Sequence, residues 1–167
     1  MDDKKSLPDP VIPDRLRDLL LAKKQTVAVA ESVTAGHLQV AFSMAENARE
    51  FFQGGITTYN LAQKAKHLRV DPTQALRCNS VSEEVAAEMA REVRILFMSD
   101  WGIAVTGYAS PVPEKNISQL FACYSFYFRD REMGRYTITV ENDSPSVVRR
   151  FYVSHILDDL LSLILTT

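Results

Sequence analysis

The sequence has few cysteines, no excess of basic charge and no long apolar run. Its two cysteines, Cys78 and Cys123, lie in no C-x-x-C pair and beside no histidine, which argues against a disulfide scaffold or a zinc site and favours a reducing compartment. There are 19 basic and 21 acidic residues, whereas nonspecific nucleic-acid or membrane-surface binders carry a basic excess. No stretch reaches the roughly 18 apolar residues of a membrane helix. We therefore expect a cytoplasmic protein that binds neither nucleic acid nor membrane.

The length and apolar content predict one domain with one core. A chain of 167 residues, 46% of them apolar, can bury a sizeable core without metals or disulfides. Residues 1–12 are polar and contain prolines, which indicates a loose N-terminal tail, and the domain is expected to span residues 13–167.

Helical and strand patterns alternate along the chain. Apolar residues at helical spacing predict helices over 14–24, 38–45, 60–68 and 82–97, and a long C-terminal helix that begins at Pro145. The short run 26–30 is continuously apolar and predicts a buried strand, and the short runs 56–59 and 102–105 predict two more. Alternation over 119–128 and 136–140 predicts a β-hairpin with a six-residue connection that contains Gly134, and Asp71–Pro72 indicates a turn. The expected fold is a three-layer α/β/α domain with a mixed sheet of about five to six strands.

Polar segments follow each of the predicted buried strands. They are residues 31–36, 59–64 and 106–111. Open α/β sheets bind ligands beyond the carboxyl ends of their strands, so these segments are expected to meet at one site. They would bring together a hydroxyl-rich helix start, a tyrosine, a lysine and a Thr-Gly turn.

Two interpretations of these side chains stay open from the residues alone. Ser32 could attack a carbonyl with Lys64 as its base, while the amides of Val33 to Gly36 stabilise an oxyanion or hold a phosphate. Alternatively, Ser32 or Thr34 caps the following helix and Lys64 is an ordinary solvated lysine.

A combination of short motifs in a fixed order gives the sequence a family resemblance. The motifs are Ala30-Glu31-Ser32-x-Thr34-x-Gly36, Phe52-x-x-Gly55-x-x-x-Tyr59, Lys64, Val81-Ser82-Glu83-Glu84-Val85-Ala86 with Met89-Ala90, Val105-Thr106-Gly107 and Val148-Arg149-Arg150. In this order and spacing the chain resembles the C-terminal domain of the competence/damage-inducible CinA proteins, which in stand-alone form are nicotinamide mononucleotide deamidases. The length leads us to expect that stand-alone form.

The resemblance implies hydrolysis of the carboxamide of nicotinamide mononucleotide to the acid and ammonia, without metal or other cofactor. It implies three catalytic residues, with Ser32 as nucleophile, Lys64 as base and Tyr59 beside them. The substrate-binding residues it implies are Glu31, Val33, Thr34, Ala35, Gly36, Thr106, Gly107, Arg149 and Arg150. The implied partners are a small-molecule mononucleotide and further copies of the chain, as a homodimer or higher homo-oligomer.

The alternative function is a noncatalytic CinA-like binding or assembly module. Ala35 replaces a glycine of the family, Leu61 replaces a polar residue, and Ser118-Gln119 end a loop that is normally rich in glycine. In that case the pocket is altered, Ser32 is only a cap, and the apolar hairpin or the C-terminal helix mediates self-association.

Overall fold

The computed structural model describes residues 10–167. Within this range the helices are α1 (Asp14–Lys23), α2 (His37–Ser43), α3 (Leu61–Leu68), α4 (Pro72–Arg77), α5 (Glu83–Phe97) and α6 (Pro145–Thr166). The strands are β1 (Val27–Glu31), β2 (Phe52–Thr57), β3 (Trp101–Gly107), β4 (Leu120–Phe128) and β5 (Arg131–Val140). Short 3₁₀ turns lie at Ala48–Glu50 and Pro113–Lys115.

The strands form one five-stranded mixed sheet in the order β2-β1-β3-β4-β5. β1 pairs in parallel with both β2 and β3, while β4 and β5 are antiparallel additions beside β3. The ends of the parallel strands are aligned, because Glu31 pairs with Thr57 on one side and with Val105 on the other. The predicted mixed α/β sheet with a long C-terminal helix is confirmed.

Helices cover both faces of the sheet. Val27 and Val29 point into a core shared with α1, α2 and α6, whereas Ala28 and Ala30 pack against the helices α3 to α5. The second face carries smaller side chains, and α5 packs closely on it. A Cβ at Gly102 would overlap the carbonyl oxygen of Ala90 in α5.

Three local predictions were wrong. The second strand is Phe52–Thr57 and not 56–59, and it is only partly buried, because Gly54 and Gly55 lie within it and pair with β1. The hairpin connection is residues 129–130, not six residues, because Gly134 lies within β5, near a register shift where the ring of Tyr136 occupies the space of a side chain. Asp71–Pro72 does not form a simple turn. The Asp71 carboxylate accepts hydrogen bonds from the amides of Thr73 and Gln74, so this pair begins α4.

The predicted loose tail extends too far along the chain. Residues 1–9 of that tail lie outside the described residues. Ile12, however, is only 3% exposed in the core, and its amide donates to the carbonyl of Ala41 at 3.2 Å. The domain therefore begins before Pro13. Over residues 10–167, the structure contains no helix with the length and apolarity needed to span a bilayer.

Candidate active site

A cavity of about 470 Å³ lies at the carboxyl ends of the parallel strands, and we call it the Ser32 cleft. All three predicted polar segments contribute to it. Its walls are Ser32, Val33, Tyr59, Asn60, Leu61, Lys64, Ala75, Leu76, Asn79, Ser80, Val81, Thr106, Gly107, Tyr108, Ala109, Ser110, Val112, Lys115 and Arg149. The volume falls in the range of small-molecule sites, about 300–1,000 Å³.

Ser32 and Lys64 are hydrogen-bonded to each other inside the cleft. Lys64 Nζ donates to Ser32 Oγ over 2.9 Å, and the two residues are 2% and 6% exposed. Burial disfavours the ammonium form and lowers the pKa of Lys64 from 10.5 to about 8. A substantial fraction of Lys64 is therefore neutral at mildly alkaline pH, and the neutral amine can accept the Ser32 proton.

The short helix α3 places Lys64 in the interior. Asn60 begins the helix, because its side-chain oxygen accepts a hydrogen bond from the amide of Gln63 at 3.1 Å. Lys64 and Leu68 are four residues apart and so share the buried face of α3, with Leu68 in the core beside α5. The lysine is thus held on a packed helix face, and it is not the solvated side chain of the alternative interpretation.

Glu31 holds the start of α2. Its buried carboxylate accepts hydrogen bonds from the Thr34 hydroxyl at 2.6 Å and from the amides of Gly36, Leu38 and Gln39 at 3.1, 3.0 and 2.8 Å. An acidic group satisfies free amides at a helix start and complements the helix dipole. Glu31 and Thr34, which were predicted to bind substrate, therefore have a structural role at the start of α2 and do not line the Ser32 cleft. Ser32 is not the cap of this helix.

The amides after Ser32 divide into two pairs. The amide of Ala35 donates to the Ser32 carbonyl and that of Gly36 to Glu31, both at 3.1 Å. The amides of Val33 and Thr34 donate to no acceptor in residues 10–167. The predicted oxyanion donors therefore narrow from the stretch 33–36 to these two.

Ala35 and Gly36 are predicted binding residues that the structure does not bring to the cleft. Neither residue lines it, and both have positive φ angles, of 49° and 101°. Ala35 is exposed on the turn. Its methyl group therefore strains the backbone instead of filling the ligand space.

The two neighbouring arginines of α6 point to different places. Arg149 lines the Ser32 cleft, and its Nε donates to the carbonyl of Val33 at 2.9 Å. Arg150 instead lines a separate cavity of about 250 Å³ near Pro13 and Leu157, so the structure does not bring this predicted residue to the Ser32 cleft.

Thr106 and Tyr59 occupy different depths of the cleft. The Thr106 hydroxyl donates to the carbonyl of Ser80 at 2.8 Å, which ties β3 to the segment after α4. Adjacent Gly107 has no room for a Cβ, which would lie 2.6 Å from the carbonyl oxygen of Phe121. Tyr59 is 63% exposed at the cleft mouth, so its catalytic role stays a prediction.

Several residues of the cleft were missed from sequence. The segment after α4 contributes Asn79 and Ser80, which have consecutive positive φ angles of 53° and 62°. Asn tolerates this conformation, but an isolated Cys-Asn-Ser stretch gives no signal of it. Lys115 also lines the cleft, from the short 3₁₀ turn at Pro113–Lys115.

The charges that line the cleft have one sign. Lys64, Lys115 and Arg149 are its ionisable cations, and no aspartate or glutamate of the described residues forms part of its wall. This local excess of positive charge contrasts with the net charge of −2 of the whole chain.

Comparison with known proteins gives one consistent family. The family described as CinA C-terminal domain matches residues 11–162. A CinA-like protein of Picosynechococcus is 39% identical over 100 residues, which is 60% of this chain and 24% of that protein. A putative competence-damage inducible protein of Desulforudis audaxviator is 39% identical over 104 residues, 62% of this chain and 25% of that protein. The matched region thus spans about a quarter of the length of these relatives.

Solved structures agree with the fold. The competence or damage-inducible protein from Enterobacter asburiae superposes with a TM-score of 0.85 and 28% identity, over 90% of this chain and 94% of that one. A competence-damaged protein (CinA) superfamily protein from Escherichia coli gives a TM-score of 0.75 and 26% identity, over 98% and 99%. The match to residues 11–162 and these superpositions show that the chain belongs to the CinA C-terminal domain family.

Proposed function

We propose that the protein hydrolyses the carboxamide of nicotinamide mononucleotide to the acid and ammonia by a serine-lysine mechanism. The observation that carries this proposal is the 2.9 Å hydrogen bond between Lys64 Nζ and Ser32 Oγ in a buried cleft. Serine-lysine pairs are an established variant of nucleophilic catalysis. Family membership supports the same assignment at a coarser level.

In the first step, neutral Lys64 takes the proton of the Ser32 hydroxyl while Oγ attacks the carboxamide carbon. The carbonyl oxygen becomes an oxyanion, for which the amides of Val33 and Thr34 are the available donors. The Lys64 ammonium then returns its proton to the carboxamide nitrogen as the C–N bond breaks. Ammonia leaves, and the acyl group remains as an ester on Ser32.

The second step repeats the proton transfers with water. Neutral Lys64 takes a proton from a water molecule, whose oxygen attacks the ester carbon. When the tetrahedral intermediate collapses, the C–Oγ bond breaks and Lys64 returns the proton to Ser32 Oγ. The products are the free hydroxyl and the pyridine carboxylic acid.

The walls of the cleft suit a mononucleotide. Leu61, Ala75 and Leu76 offer an apolar surface for the pyridine ring, and Arg149 and Lys115 offer cations for the phosphate. We further propose that the protein acts in the cytoplasm as a homo-oligomer. Its unpaired Cys78 and Cys123 fit a reducing compartment, and light scattering of the purified protein tests the oligomer.

The proposal is tested by ammonia release from nicotinamide mononucleotide between about pH 6 and 9, the range in which a tuned lysine acts. Wild-type protein should release ammonia, whereas Ser32→Ala and Lys64→Met should abolish release without loss of the circular dichroism spectrum. Lys66→Met is the matched control, because Lys66 is exposed on the same helix and lies outside the cleft. A wild-type protein that binds the mononucleotide but releases no ammonia at any of these pH values would instead be the noncatalytic module.

A further inference from the structure

We propose that the Ser32 cleft binds its acid product more tightly than its amide substrate, so that a carboxylated mononucleotide is a retained, inhibitory ligand of this site. This inference rests on the proposed function for the identity of the substrate. It goes beyond that function by stating that the cleft prefers an acidic mononucleotide and that the reaction product inhibits the protein.

The first argument is the charge of the cleft. Substrate and product share the phosphate and the cationic pyridine ring, but hydrolysis replaces a neutral carboxamide with a carboxylate. The three cations that line the cleft, Lys64, Lys115 and Arg149, favour the added negative charge. No carboxylate of residues 10–167 lines the cleft to oppose it or to pair with the ring. Hydrolysis therefore increases the electrostatic complementarity between ligand and cleft.

The second argument is the set of hydrogen-bond partners around the reacting group. The Lys64 ammonium and the amides of Val33 and Thr34 can only donate. A carboxylate presents two accepting oxygens, whereas a carboxamide presents one accepting oxygen and an NH₂ group that must itself find an acceptor. Among these groups only Ser32 Oγ can accept from that NH₂.

Protonation of Lys64 strengthens this preference after turnover. The pKa of Lys64 is about 8, so most of the protein carries the ammonium at pH 7. This ammonium is buried beside Ser32 Oγ, and a product carboxylate on the same side of the cleft would form a charge-assisted hydrogen bond with it. The same residue that accelerates the reaction as a neutral amine thus retains the product as a cation.

The experiment is isothermal titration calorimetry at pH 7 with Ser32→Ala, which cannot form the ester. Nicotinate mononucleotide should bind about tenfold more tightly than nicotinamide mononucleotide, the scale expected for one extra charge near a partly buried cation. Lys64→Met should reduce this ratio toward one. Lys115→Met should reduce the ratio less than Lys64→Met does, because Lys64 is hydrogen-bonded to Ser32 Oγ whereas Lys115 lines the cleft without a hydrogen bond to that atom. Equal or weaker binding of the acid would overturn the proposal.

A kinetic measurement keeps the test independent of the folding of Ser32→Ala. With wild-type protein, added nicotinate mononucleotide should inhibit competitively with a Ki below the KM of the amide. Ammonia release without preference for the acid would refute this inference and leave the proposed function intact. Preference for the acid without ammonia release would refute the proposed function and leave an acidic-mononucleotide site.

Discussion

Arg149 Nε donates to the carbonyl oxygen of Val33 over 2.9 Å, and this bond joins residues 116 positions apart. It ties the long helix α6 to the residue directly after Ser32. Because Nε is hydrogen-bonded, the guanidinium group is held in place, and no described residue accepts a hydrogen bond from its two terminal nitrogens. Arg149 is therefore suited both to support the backbone next to Ser32 and to bind an anion in the cleft.

Arg149→Lys should raise the KM for nicotinamide mononucleotide by about tenfold, because a lysine keeps the charge but loses the fixed Nε bond and the bidentate geometry. Steady-state ammonia kinetics measure this change. Arg150→Lys is the control, since Arg150 lines the other cavity. Equal effects of the two substitutions would contradict the assignment of Arg149 to the substrate.

The pH dependence of kcat/KM should follow Lys64. The reaction needs the neutral amine, and the pKa of Lys64 is about 8. We therefore expect kcat/KM to rise from pH 6 through 8 and to level off above, since this parameter reports the ionisation of free enzyme. Lys64→Arg, which stays charged throughout this range, should show no such activity. A decline of kcat/KM through pH 8 would exclude Lys64 as the base.

Lys64 should also leave a signature in the pH dependence of stability. The folded protein releases the Lys64 proton near pH 8, while the unfolded chain keeps it until about the ordinary value of 10.5. The unfolded state thus binds more protons between these pH values, and this residue's contribution to the free energy of unfolding rises with pH there. Between pH 7.5 and 10.5, the free energy of unfolding of the wild type should rise by about 2–3 kcal/mol relative to that of Lys64→Met.

Urea unfolding of both proteins at matched pH measures that difference and cancels the other groups that titrate in the same range. Lys66→Met serves again as the control, because Lys66 is exposed on the same helix and lies outside the cleft. A constant difference between Lys64→Met and wild type would mean that Lys64 keeps an ordinary pKa in the folded protein.

Glu31→Gln should destabilise the domain by about 2–3 kcal/mol, because the amide can accept on only one atom where the buried carboxylate accepts on two oxygens. Ammonia release should fall as well, since the Ser32 turn adjoins this cap. Glu141→Gln, on the exposed segment after β5, is the control. Thermal denaturation measures the loss, and an unchanged melting temperature would contradict the capping role of Glu31.

Ala35→Gly should raise the free energy of unfolding by about 0.5–1 kcal/mol. Glycine adopts the positive φ of this position without strain, and this gain exceeds the cost of the greater entropy that glycine gives the unfolded chain. Turnover should not change, since Ala35 does not line the cleft. A marked gain in substrate affinity would show that the alanine methyl does obstruct the ligand.

The buried strands and the amphipathic helices were predictable because their patterns are local. Repeated apolar spacing identified α5, and a continuous apolar run identified β1. The hairpin connection was not predictable. Gly134 lies under the ring of Tyr136 within β5, but from sequence alone a glycine at this position indicates a loop. Asp-Pro likewise begins either a turn or a helix, and only the amides that follow Asp71 decide between them.

The site was predictable in its chemistry but not in its details. Ser32 and Lys64 follow neighbouring parallel strands, so topology alone brings them together. The role of Glu31 depends on which way a buried carboxylate turns at the end of β1. Arg149 and Arg150 line different cavities because of the rotation of α6 about its axis. Both are properties of three-dimensional packing that residue spacing does not encode.

Ser32 follows the interior strand β1, whose five residues are all buried between β2 and β3. We expect the amide hydrogens of such a strand to exchange with solvent through cooperative opening of the domain and not by fraying at an edge. We therefore expect the proposed nucleophile to follow one of the last segments of the molecule to open. The attachment of Ser32 to β1 should persist until the domain unfolds cooperatively. In a heated sample, the fraction of molecules in which Ser32 keeps its position should therefore equal the folded fraction.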